Sequence, residues 1–99
     1  MSNFRQKCYD ALMKVPKGKV TTYSEIAKAL DSKAVRAVGT AMAKNEKLIE
    51  IPCHRVVKSD GSIGQYASGQ AKKIELLIEE DVPVENGKIA NFKDYLHTF

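Results

Sequence analysis

The segment from Ile49 to Gly61 reads IEIPCHRVVKSDG and places a cysteine and a histidine side by side behind a proline. A thiol next to an imidazole admits three chemistries: a nucleophile with its base, a pair of metal ligands, or a thiol that packs well. A structural zinc site needs about four ligands at recognisable spacings. The chain's cysteines and histidines are Cys8, Cys53, His54 and His97, with no C-x2-C or H-x3-H pair, so the metal reading fails and no metal or cofactor is expected. A nucleophilic cysteine works as its thiolate and needs a lowered pKa or a base within reach. Neighbours on an extended strand point to opposite faces. Cys53 and His54 therefore cooperate only if the chain turns at Pro52-Cys53 or a water bridges them. The dipeptide by itself leaves the nucleophile and the packing thiol both open.

The residues that must position this pair belong to a small basic chain. Its 99 residues suit one domain with a modest core, expected to span 1–99. The composition is that of a soluble globular protein. No apolar run approaches membrane-spanning length and no signal peptide opens the chain, so a cytoplasmic location, reduced thiols and no membrane partner are expected. A net charge of +4 and a pI near 9.1 permit a polyanionic partner without proving one. There is no internal repeat, linker or low-complexity segment.

Phe4, Cys8, Ala11, Leu12 and Val15 recur at helical spacing, so residues 3–15 read as an amphipathic helix that stops at VPKGK. Cys8 falls on its buried face, where a cysteine behaves as a small apolar residue. Thr22-Tyr23-Ser24-Glu25 fits a capping box, and a short helix runs from it to about Leu30. Asp31 and Ser32 can cap a second helix, roughly Ala34 to Lys44, with Ala34, Val35, Val38, Ala41 and Met42 as its buried stripe. Two short helices joined by a tight polar turn suggest a helix-turn-helix.

The opposite face of that second helix presents Arg36, Gly39, Thr40 and Ala43 within one sector of the helical wheel. A solvated helix face usually bears long charged side chains. This one keeps a single arginine among small residues, so its backbone can approach a large partner closely. A helix tucked under the chain itself is the bland alternative. The turn and the basic flanks Lys33, Lys44 and Lys47 favour nucleic acid.

After Cys53, RVV, KSDGS and IG read as a hairpin around Asp60-Gly61. Ser68 or Gly69 opens a helix whose buried face is Ile74, Leu77 and Ile78, closed by Glu79-Glu80-Asp81. VPVENGKIANF reads as a second hairpin turning at Asn86-Gly87. The fold class expected is mostly α with small β-hairpins, similar to a winged helix-turn-helix.

Taken in order, TTYSEIAKAL, AVRAVGTAMAKN with Asn45 at its end, IPCHRVV and GQYASGQAKKIELL resemble the C-terminal domain of the O6-alkylguanine-DNA alkyltransferases over about residues 4 to 81. PCHRV is the most specific of these runs. The resemblance implies single-use repair of O6-alkylguanine in double-stranded DNA by a monomer without cofactor. Cys53 would accept the alkyl group as a thioether, His54 would act as base through a bound water, and Glu80 would orient the imidazole. Arg36 would enter the base stack from the minor groove as the nucleotide is flipped out, which suits the small Gly39, Thr40 and Ala43. Tyr23 would help rotate the nucleotide and hydrogen-bond the leaving base. Asn45 would brace the turn between recognition helix and active-site loop, and Tyr66 would belong to the gate over the base. Backbone groups of Cys53, Val56 and Ala67 would read the polar edge of the base, and Met42 would line the pocket.

Two departures matter. The resemblance covers the family's C-terminal domain and not its N-terminal one, and Leu48 and Glu50 occupy a segment that is more proline-rich and apolar in well-known members. The first raises a rival: alkyltransferase-like proteins are single domains of about this length that flip the same lesions and signal to excision repair without transfer. GKIANFKDYL resembles their tails. Their usual mark is tryptophan at the nucleophile position, whereas this chain has cysteine there and no tryptophan, which favours transfer. A winged-helix regulator with Cys53 as redox sensor would explain the basic helix but not Asn45, PCHRV and Tyr66 together.

Overall fold

The computed structural model describes residues 4–45, 50–64, 66 and 69–99. Helix α1 (Phe4–Leu12) leads into strand β1 (Thr21–Thr22), and helices α2 (Tyr23–Ala29) and α3 (Val35–Ala43) follow. A 3-10 turn (Cys53–Arg55) runs directly into strand β2 (Val56–Val57), and helix α4 (Gln70–Glu79) comes next. The tail forms strands β3 (Val84–Glu85) and β4 (Lys88–Ile89) and the short helix α5 (Phe92–Tyr95). The chain is mostly helical with short strands, as expected. No described helix is long and apolar enough to cross a membrane.

Short strands organise the interior. β1 and β2 pair in parallel, Thr21 with Val56 and Thr22 with Val57. Because side chains alternate along a strand, Val56 and Val57 enter different cores. Val56 joins Cys8, Leu12, Ile26, Val38, Met42 and Cys53 between α1, α2 and α3. Val57 joins Val20, Ile63, Leu77, Val82 and Ile89, capped by Phe92 and Tyr95 of the tail. Tyr9 fastens α1 to α3 by donating to the Ala41 carbonyl at 2.7 Å.

The helix borders show what the local chemistry decides. α1 ends earlier than the expected residue 15, because the N–H groups of Lys14 and Val15 bond back to Ala11 and Leu12 in a tightened last turn. Pro16 then prevents continuation, and Val15 stays buried beyond the helix end. The Thr22 hydroxyl does cap α2, accepting from Glu25 N at 3.0 Å. Asp31, expected to cap α3, instead closes α2. It lies at φ 54, and Ser32 N and Asp31 N reach back to the Ala27 and Lys28 carbonyls at 2.9 and 3.0 Å. That is a Schellman ending, which needs a residue tolerant of left-handed backbone. α3 starts from Ala34 without a side-chain cap, while the Ser32 hydroxyl accepts from Ala34 N. Ala34 and Val35 are exposed, so the buried stripe of α3 is Val38, Ala41 and Met42.

Two further expectations are corrected. Asp60-Gly61 does form a turn, with Gly61 N bonded to the Lys58 carbonyl at 2.9 Å. Yet β2 pairs with β1 and Ser62 bridges to Lys88, so the turn does not join two strands of one hairpin. In α4 the buried residues are Lys73, Leu76 and Leu77, with Ile74 half-buried and Ile78 exposed. The expected hairpin at Asn86-Gly87 is present, both residues having positive φ as a type I′ turn requires.

Candidate active site

The chain turns where the thiol and imidazole need it to. Pro52, at φ −78 and ψ 62, sits at the centre of an inverse γ-turn closed by Cys53 N on the Ile51 carbonyl at 2.7 Å. The 3-10 turn that follows carries Cys53 and His54 inward together, at 5% and 1% exposure. Asn45, buried beyond the end of α3, spans the entry to this turn. Its Nδ2 donates to the Ile51 carbonyl at 2.9 Å and to Cys53 Sγ at 3.3 Å.

Burial pushes the Cys53 thiol above its ordinary range, opposed by the Asn45 hydrogen bond and by the charge of Lys73. Lys73 of α4 is fully buried, and its Nζ donates to the Val56 carbonyl at 2.7 Å. Burial lowers its pKa to about 8, with Cys53 pulling the other way.

His54 is held from the side of α4. Its Nε2 lies 3.0 Å from Glu80 Oε2, and since a carboxylate can only accept, Nε2 carries the proton and Nδ1 the lone pair. Nδ1 is buried without a hydrogen-bond partner among the described residues. Burial keeps the imidazole pKa low despite Glu80, so the ring is neutral at pH 7. Glu80 is gripped by Arg55, whose Nε reaches Oε1 at 2.9 Å and whose Nη2 reaches Oε2 at 2.7 Å. Burial alone would raise this carboxyl, but the bonds from Arg55 and His54 outweigh it and hold it below its ordinary value. Arg55 also donates to the Val15 carbonyl at 2.8 Å, tying the turn to the end of α1.

Aromatic groups surround the sulfur. Tyr23, Tyr66 and Ile51 pack half-buried against the core cluster that contains Cys53 and Met42. Tyr66 meets His54 edge-on with ring centroids 6.5 Å apart. Burial raises both phenols, and the Cys53 charge adds to the shift in each. Neutral phenols are hydrogen-bond donors.

The outer face of α3 is separate from this cluster. Arg36, Thr40 and Ala43 are exposed and Gly39 is half-exposed. A Cβ on Gly39 would meet nothing within 4 Å, so the chain's own packing does not require glycine there. Thr40 turns its hydroxyl back to the Arg36 carbonyl at 3.2 Å.

A family model described as 6-O-methylguanine DNA methyltransferase, DNA binding domain, matches residues 3–82. The chain belongs to the 6-O-methylguanine DNA methyltransferase family. A methylated-DNA--protein-cysteine methyltransferase of Candida glabrata is 43% identical over 94% of this chain and 45% of its own length. The chain spans about half or less of the length of the curated relatives it matches. Two solved structures illustrate the range. The 6-O-methylguanine DNA methyltransferase of Pyrococcus kodakaraensis superposes with TM-score 0.75 at 47% identity, over 83% of this chain and 48% of that one. S. pombe Atl1, in complex with damaged DNA containing O6-carboxymethylguanine, superposes with TM-score 0.88 at 33% identity, over 100% of this chain and 98% of that one.

Of the site residues expected in this methyltransferase-family chain, Cys53, His54, Glu80, Asn45, Tyr23, Tyr66, Met42 and Val56 converge around one turn. Arg36, Gly39, Thr40 and Ala43 share the outer face of α3. Ala67, Lys47 and Leu48 lie outside the described residues. Arg55 and Lys73 join the site beyond the residues expected there. Arg55 lies within PCHRV. Lys73 stands at helical spacing from Leu76, Leu77 and Glu80, so a lysine on an apolar stripe is the signal in the sequence.

Proposed function

We propose that the protein repairs O6-alkylguanine in double-stranded DNA by moving the alkyl group onto Cys53, once per molecule. The observation that carries this reading is the sulfur itself: Cys53 Sγ receives the Asn45 hydrogen bond on a turn whose next residue is an imidazole held by Glu80.

The chemistry follows from that arrangement. Arg36 enters the stack from the minor groove while the damaged nucleotide swings out, and Gly39, Thr40 and Ala43 keep the helix surface low enough for the groove. Tyr66 and Met42 line the space for the base, and backbone groups of Cys53, Val56 and Ala67 pair with its polar edge. A water between Cys53 and His54 Nδ1 passes the thiol proton to the imidazole, and Glu80 stabilises the imidazolium that forms. The thiolate attacks the alkyl carbon, a C–S bond forms, and the C–O6 bond breaks. Guanine leaves with that electron pair, hydrogen-bonded by Tyr23, and regains a proton from the imidazolium through solvent. No group in the site can reverse a thioether, so turnover stops at one.

The likeness to S. pombe Atl1 along the whole chain favours a second reading, in which the protein flips the lesion and flags it for excision repair without transfer. Intact-protein mass spectrometry after incubation with a duplex bearing one O6-methylguanine separates the two. Transfer adds one methylene to the peptide containing Cys53 and saturates at one per protein. Tight binding with no mass change overturns the transfer reading in favour of the second.

A further inference from the structure

Helix α4 brings opposite charges to the two sides of the reactive turn. Lys73 and Glu80 lie two helical turns apart on one stripe. Glu80 serves the imidazole. Lys73, the largest fully buried side chain, delivers an ammonium to the Val56 carbonyl at 2.7 Å, three residues after Cys53. A leucine or methionine on this apolar stripe would bring no charge to the turn, whereas the lysine places a buried ammonium against it.

The groups facing Cys53 narrow that role. Tyr9 comes from α1, Tyr23 from α2 and Tyr66 from the segment before α4, all as neutral phenols that feel the sulfur's charge. Asn45 is an uncharged donor. His54 is neutral, and its partner Glu80 is an ionised carboxylate paired with Arg55. Among the described residues, Lys73 is the cation whose charge acts on Cys53, and the same charge disfavours protonation of His54 at rest.

We propose that Lys73 is the counter-charge of the Cys53 thiolate, a positioning residue that acts through the sulfur and not on the substrate. When the thiol proton moves to the imidazole, negative charge appears on the Lys73 side of the turn and positive charge on the Glu80 side, so one helix stabilises both halves of the separated pair. The purpose of this device rests on the transfer reading, but its test does not.

The test reads the thiolate without DNA. The rate of Cys53 alkylation by iodoacetamide is followed against pH, with peptide mapping to exclude Cys8, in the native protein, Lys73→Met and Lys73→Arg. Below pH 8, where the Lys73 ammonium is charged, methionine should lower the rate about tenfold, the profiles should converge above it, and arginine should restore most of the loss. An unchanged rate at pH 7 in folded Lys73→Met overturns the proposal. A reciprocal measurement keeps Lys73 in place: its Nζ titration by NMR, about pH 8 in the native protein, should rise in Cys53→Asp, which sets a negative charge where the thiolate forms. If Lys73→Met does not fold, an unchanged Lys73 midpoint in Cys53→Asp overturns the proposal alone. A rate lowered by Lys73→Met in a protein that never takes up an alkyl group from DNA would sink the transfer reading and leave this one standing.

Discussion

His54 Nε2 and Glu80 Oε2 stand 3.0 Å apart, and the same carboxylate takes two bonds from Arg55, at 2.9 and 2.7 Å. Orientation of the imidazole and attachment of the turn to α4 therefore depend on one side chain. Glu80→Gln removes the charge and should cost about 1.5–3 kcal/mol, the range for hydrogen bonds to charged groups. Because the folded carboxyl lies below its ordinary value of 4.5, its stabilisation is present above that pH and is lost as pH falls through the lowered folded value. Urea unfolding across the acid range should show the gap between native protein and variant holding above pH 4.5 and closing below it. A gap independent of pH would mean the carboxylate is not ionised in the fold.

Asn45→Ala strips the turn of the bonds to the Ile51 carbonyl and to Cys53 Sγ. The Ile51 carbonyl keeps its bond from Cys53 N, so the lost bonds cost about 0.5–1.5 kcal/mol each. Single-turnover transfer from an O6-methylguanine duplex should slow well beyond what that loss of folded population explains. Transfer at the native rate would confine Asn45 to a structural role.

Gly39→Ala offers a separation of fold from binding. With nothing within 4 Å of the new Cβ, helix propensity should stabilise the protein by about 0.8–1 kcal/mol. Duplex affinity, measured by fluorescence anisotropy, should nevertheless fall, because the proposed function sets the added methyl group against the groove. Arg36→Ala should slow reaction with an alkylated duplex far more than with the free alkylguanine base. Equal affinity in Gly39→Ala would remove α3 from the DNA interface.

Gly61 tests the tail. Its φ is +87, and a Cβ there would sit 3.2 Å from Phe92 Cγ. Gly61→Ala should cost about 1–2 kcal/mol from backbone handedness alone, lowering Tm by roughly 4–8 °C per kcal/mol. Calorimetry would show this as a lower Tm with the Cys53 alkylation profile unchanged.

Much of this was legible in the residues. The capping box at Thr22, the I′ turn at Asn86-Gly87 and the apolar spacing of α1 are local signals, and each produced its element. Cys53, His54 and Asn45 were found through their motifs, because a site built on a tight turn keeps its residues near one another in sequence. The rest depended on contacts between distant segments. Asp31 could cap either helix, and only the backbone hand at the end of α2 decides between them. The phase of α4 does not follow Ile74 and Ile78, because Lys73 and Glu80 engage Val56, His54 and Arg55. The partner of β2 lies outside its own turn, and a parallel contact 35 residues away, Thr21 facing Val56, leaves no local mark.

That strand pairing has a consequence for how the protein comes into being. β1 meets residues 56–57 on one side, and on the other Val20 bonds to Tyr95 and His97 at 2.8 and 2.6 Å. A chain leaves the ribosome at about 5–20 residues per second, N-terminus first, so the second edge stays open until residue 97 emerges. Until then the core of Val20, Val57, Ile63 and Leu77 lacks its cover from Phe92 and Tyr95, so this half of the fold closes well after the Cys53 turn has been made.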